Sequence, residues 1–61
     1  MINIAEKRKE KGYSQEALAE ELGVSRVAIS NIETGKNKPR VEHAKKIGQL
    51  LGFDWSQIYE N

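Results

Sequence analysis

The chain contains no cysteine among its 61 residues, so disulfides and thiolate-held metals are excluded. No apolar run approaches the roughly 20 residues that span a bilayer, and no signal segment is recognisable. Both absences lead to the expectation of a soluble, cytoplasmic protein. Period-2 alternation is missing as well, which argues against strands. His43 is the sole histidine, set beside Lys45 and Lys46 rather than among metal ligands. Neither a nucleophile elbow nor a phosphate-cradling loop is present. The expectation is a protein that is not an enzyme, with no cofactor, no metal and no small-molecule ligand. At this length the chain makes one domain, residues 1–61, and buries roughly 60% of its extended surface.

A subtler absence lies in the stretch GVSRVAISNIETG, Gly23 to Gly35. As a helix it places Val27, Ser30, Asn31 and Thr34 on one side and Ile29 and Ile32 on the other. A solvated face normally carries Glu and Lys, which are good helix formers and well hydrated. This face has neither, so it is suited to something other than water.

Charge is unevenly placed. Net charge is +2 over residues 1–11, −3 over 12–25, +4 over 26–46 and −2 over the last fifteen residues. Positive charge gathers on and after the unusual helix (Arg26, Lys36, Lys38, Arg40, Lys45, Lys46), as an anionic partner would require; charge scattered for solubility is the plainer reading.

Glycines 12, 23, 35 and 52 each follow a helical pattern where a C-cap glycine falls. Three times a capping residue stands between apolar residues at N′ and N4: Tyr13-Ser14…Leu18, Val24-Ser25…Ile29 and Phe53-Asp54…Ile58. That is the hydrophobic staple, and Asp54 with Gln57 adds a capping-box spacing. These signals predict an all-α fold of five helices, at about 2–11, 15–22, 26–34, 41–51 and 55–59. The expected core is Ile4, Leu18, Ala19, Leu22, Ile29, Ile32, Val41, Ala44, Ile47, Leu51, Phe53 and Ile58. Gly48 interrupts the fourth helix on the side of Val41, Ala44 and Leu51, where another helix would approach closely.

Only Gly23-Val24-Ser25 separates the second and third helices. Two short helices joined by a tight, glycine-containing turn form a helix-turn-helix, here about 15–34. The third helix then lies across the bundle with the Val27, Ser30, Asn31, Thr34 side free. Arg26 opens that helix, where the macrodipole disfavours a cation but attracts phosphate. Arginine can grip guanine with two hydrogen bonds, asparagine can do so for adenine, and valine can meet a thymine methyl. The face suits the major groove.

From Ile4 to Tyr59 the sequence resembles the phage repressor/Cro-type helix-turn-helix regulators, also called the xenobiotic-response-element or lambda-repressor-like family. The resemblance is carried by KRKEKGYSQEALAEELGVSRVAISNIETGKNKP and LLGFDWSQIY. It implies a compact lambda-repressor-like fold and a sequence-specific repressor of bacterial or phage-encoded context. The implied partner is double-stranded DNA, entered at the major groove by the third helix.

By the same resemblance Arg26, Val27 and Asn31 reach base edges, with Ser30 a weaker candidate. Gln15 meets phosphate, its backbone amide assisting. Ser25, Lys36, Asn37, Lys38 and Arg40 lie near the flanking DNA backbone. Glu33 stands near a helix C-terminus, where an anion is unfavourable; the resemblance pairs it with Arg8 as structural scaffolding.

Phe53, Trp55 and Tyr59 fall in the last nine residues. Phe53 belongs to its staple. Trp55 and Tyr59 form either a lid on the core or a homodimer contact. A homodimer would present two recognition helices about 34 Å apart on a palindromic operator. A rival reading keeps the fold but makes the chain a protein-interaction module, such as an antitoxin-like subunit. Its surfaces would be the acidic second helix and the aromatic C-terminus.

Overall fold

A computed structural model of the chain describes residues 2–60. Four α-helices follow one another: α1 Ile4–Glu10, α2 Gln15–Leu22, α3 Arg26–Glu33 and α4 Val41–Leu51, with a 3₁₀ helix over Trp55–Tyr59. No strand occurs among the described residues. The fold is all-α and measures 25 × 21 × 19 Å.

Local chemistry sets the helix starts. Ser14 Oγ accepts from the Ala17 amide at 2.9 Å, and Ser25 Oγ accepts from the Ala28 amide at 3.1 Å. Each satisfies one of the amides a helix start leaves without a partner, a contribution of about 1 kcal/mol. α1 begins later than the apolar pattern predicts, because Asn3 is a further cap whose Oδ1 accepts from the Glu6 amide at 3.0 Å.

At the C-terminus the fifth predicted helix is wound as 3₁₀ rather than α. Its tighter winding changes the cap: Asp54 Oδ1 accepts from the Ser56 amide and hydroxyl, at 3.1 and 3.0 Å. The expected capping box with Gln57 is therefore not formed. Instead the Gln57 amide donates to the Asp54 carbonyl at 3.0 Å, a bond to the third residue back that belongs to the 3₁₀ turn.

The core unites every helix through Ile4, Leu18, Ala19, Leu22, Ile29, Ala44, Ile47, Leu51 and Ile58. Ile32 and Phe53 are half-buried and packed against it. Val41 departs from the expected core, being 50% exposed. It is the first residue of α4, and a helical side chain leans toward the turn before its own Cα. For Val41 that turn is the exposed Arg40. Gly48 is buried for a different reason. A Cβ there would lie 2.7 Å from the Phe53 carbonyl oxygen and 3.0 Å from Trp55 Cβ. The close neighbour is thus the chain entering the 3₁₀ helix.

The α2–α3 turn positions everything that follows. Gly23 takes φ 71°, a left-handed conformation open to glycine at no steric cost. The Val24 amide can then close back on the Ala19 carbonyl at 3.0 Å. The chain changes direction within three residues, and α3 packs on α2 through Ile29, only 1% exposed.

Candidate nucleic-acid interface

With Ile29 turned inward, the opposite side of α3 faces out. Arg26 and Val27 are exposed, Val27 to 59%, while Ser30 and Asn31 are half-buried beside them. No glutamate or lysine lies on this side. Ser25, at the head of α3, is exposed although its hydroxyl caps the helix. Beyond α3 the Asn31 carbonyl accepts from the Lys36 and Asn37 amides at 2.9 and 3.2 Å. The loop thus folds back against the helix end, bringing Lys36 and Asn37 close to it. Lys38 and Arg40 follow, both exposed. The outer side of α3 is thus continued by Lys36 and Asn37, with the exposed cations Lys38 and Arg40 further along the loop.

The scaffold behind this surface is polar and closely satisfied. Arg8 Nε donates to Glu33 Oε2 at 2.6 Å, and Arg8 Nη1 donates to the Tyr13 carbonyl at 2.8 Å. Both charged side chains are nearly sealed, at 9% and 7% exposure. A buried pair tolerates this desolvation only with good geometry and further hydrogen bonds. Here the further bonds exist. Gln15 Nε2 donates to Glu33 Oε1 at 2.8 Å, and Arg8 Nη2 reaches the same oxygen at 3.5 Å.

This bond determines how Gln15 sits. An ionised carboxylate only accepts, so the amide nitrogen of Gln15 must face Glu33 and its oxygen must face away. That oxygen accepts from Arg26 Nη1 at 3.4 Å. A chain of polar contacts therefore runs from α1 through Glu33 and Gln15 to the first residue of α3. The sequence reading separated the Arg8–Glu33 pair from Gln15 and Arg26; the folded chain joins them. The Gln15–Glu33 link spans 18 positions and carries no local signal.

Trp55 and Tyr59 are half-buried and packed against the core. Their rings meet edge to face, with centroids 6.2 Å apart. The Tyr59 hydroxyl donates to the Pro39 carbonyl at 2.5 Å. His43 is half-buried on α4. No helix of the described residues is long and apolar enough to cross a membrane.

Two short helices joined by a tight glycine turn, the second with a polar outer face flanked by cations, define a helix-turn-helix module. The family model described as Helix-turn-helix matches residues 4–58. The chain belongs to this family of DNA-binding transcriptional regulators. It is 41% identical over 58 residues to YqaF, an uncharacterized HTH-type transcriptional regulator of Bacillus subtilis (strain 168), covering 95% of this chain and 76% of that protein. The ImmF control region 10 kDa protein of Bacillus phage phi105 is 39% identical over 51 residues, 84% of this chain and 57% of the phage protein. The HTH-type transcriptional regulator SlrR of Bacillus subtilis (strain 168) is 39% identical over 54 residues, 87% of this chain but 36% of SlrR. No solved structure matches the sequence.

Proposed function

We infer that the chain is a sequence-specific repressor, a single non-enzymatic domain over residues 1–61 acting in the cytoplasm on double-stranded DNA. The observation that carries this reading is the outer face of α3. Val27 is 59% exposed at its second position while Ile29, two residues on, is 1% exposed. An apolar side chain set among Arg26, Ser30 and Asn31, on a helix face that carries no glutamate or lysine, is a combination whose chemistry fits base edges. In this reading α3 enters the major groove. Arg26 and Asn31 are aimed at purine edges, Val27 at a thymine methyl, and Ser30 at a base or a neighbouring phosphate.

The flanking contacts go to the DNA backbone through Ser25, Lys36, Asn37, Lys38 and Arg40. Gln15 contributes through its amide N–H at the start of α2, because its side chain is engaged by Glu33 and Arg26. Its side chain holds Arg26 in place. Arg8 and Glu33 act as scaffold, fastening α1 to α3. A homodimer joined through the C-terminal segment around Trp55 and Tyr59 would place two copies of α3 about one DNA turn apart on a palindromic operator.

Selection of binding sites from random duplexes at two salt concentrations tests the reading. A palindromic consensus is expected, with log K falling by about 0.9 per phosphate contacted as log salt rises. Failure to enrich any sequence, together with binding indifferent to salt, would refute it and favour a protein partner instead.

A further inference from the structure

The loop between α3 and α4 carries Lys36, Lys38 and Arg40, three exposed cations within five residues. Its two halves are held in different ways. In the first half, the amides of Lys36 and Asn37 donate to the Asn31 carbonyl, and the Gly35 amide donates to Ile32 at 3.2 Å. The second half is held by backbone only at its end, where the Arg40 carbonyl accepts from the Ala44 amide at 2.8 Å. Pro39 has no N–H to donate, and Arg40 caps α4 without a side-chain hydrogen bond. Pro39 is buried, yet it lines a cleft of about 290 Å³ that it shares with Ile2, Ile4 and Ile58. Packing alone therefore leaves the segment room to shift, and mutual repulsion of its cations favours spreading.

Tyr59 reaches this half twice. Its hydroxyl donates to the Pro39 carbonyl at 2.5 Å, and Lys38 Nζ stands 5.8 Å from its ring centroid. The ring is braced in turn by Trp55, whose own face carries Lys45 Nζ at 5.4 Å. We propose that Tyr59 is a positioning residue for DNA binding, holding Lys38–Arg40 so that Lys38 is ordered before it meets a phosphate. The hydroxyl fixes the backbone, while the ring face steers the lysine without burying it. Lys38 remains exposed and can exchange the ring for a phosphate. Ordering the loop in advance removes part of the entropic cost of binding. The inference rests on the reading of Lys38 as a phosphate contact.

The test is a double-mutant cycle with Tyr59→Phe, which removes only the hydroxyl, and Lys38→Met. Affinity for a fluorescently labelled duplex of mixed sequence is followed over a salt series, with thermal unfolding measured in parallel. Lys38→Met is expected to reduce the salt slope by about 0.9. Tyr59→Phe is expected to weaken binding about three- to tenfold, because the loop must then be ordered as it binds. In the Lys38→Met background it should cost less than about twofold, because the two residues act as one unit. No loss in the wild-type background, or equal loss in both, overturns the proposal. An unchanged slope for Lys38→Met defeats the loop reading itself and the proposal with it. Should Tyr59→Phe fail to fold, backbone relaxation of the wild-type protein decides. Order parameters at Lys38 and Arg40 of about 0.6 or above support the proposal, and lower values overturn it.

Discussion

Replacing Glu33 with Gln removes one charge and one acceptor from the centre of the fold. The carboxylate accepts on both oxygens, from Arg8 Nε at 2.6 Å on one and from Gln15 Nε2 at 2.8 Å on the other. A glutamine amide has one oxygen and one NH₂, so it can serve Arg8 or Gln15 but not both. With its oxygen toward Arg8, its NH₂ confronts the NH₂ of Gln15. Gln15 must then flip, which turns its own NH₂ toward the Arg26 guanidinium. Arg8, 8% exposed, meanwhile loses its counter-charge but keeps the Tyr13 carbonyl. Breaking a buried pair costs about 3–5 kcal/mol; retaining one acceptor lowers the expectation to about 2–4 kcal/mol. The total stability of a 61-residue chain is only about 3–9 kcal/mol. The melting temperature should fall by about 10–30 °C, followed by circular dichroism. Adding Gln15→Glu restores an acceptor opposite the new NH₂ and beside Arg26, and about 1 kcal/mol should return. A melting shift below about 4 °C for Glu33→Gln, or further loss in the double variant, would refute this account of the network.

Three other outcomes are expected. Asn31→Ala should weaken binding to the selected operator by about 1–3 kcal/mol and relax preference at one base pair. Equal losses on operator and random duplex in a fluorescence titration would remove it from base reading. Gly48→Ala should destabilise by about 1–3 kcal/mol in urea unfolding, although alanine is the better helix former. The added Cβ would meet the Phe53 carbonyl oxygen at 2.7 Å; a neutral or stabilised variant would show that the 3₁₀ segment yields freely. Ser14→Ala should cost about 1 kcal/mol of stability through its cap alone. Calorimetry together with DNA titration should show lower stability with operator affinity unchanged once the folded fraction is accounted for.

Much of this architecture was legible because its signals are local. Ser14 and Ser25 cap helices through bonds to the third residue on, and their staples act within five positions. Such contacts need no knowledge of the rest of the chain. The same holds for the α2–α3 connection, where one left-handed glycine and a three-residue span leave few geometries open. The outward side of α3 was legible too, since helical periodicity alone separates Val27 and Asn31 from Ile29. Where a residue's surroundings came from distant segments, the pattern misled. Val41 has core spacing, yet it stands 50% exposed because its side chain leans over the exposed Arg40. Helix-capping residues at Asp54 and Gln57 do not distinguish an α turn from the 3₁₀ turn that the crowding at Gly48 accompanies.

By itself, then, the sequence determined four helices close to their observed bounds, the turn that sets α2 against α3, and the residue types on the free face. Tertiary structure decided which polar groups meet across the fold. Gln15 finds Glu33 across 18 positions, and Tyr59 finds Pro39 across 20. Bonds of this kind depend on how helices dock, and docking is governed by the summed burial of a shared core rather than by any neighbouring residue. For that reason the polar chain behind Arg26 and the tyrosine beneath the basic loop emerge only in the folded molecule.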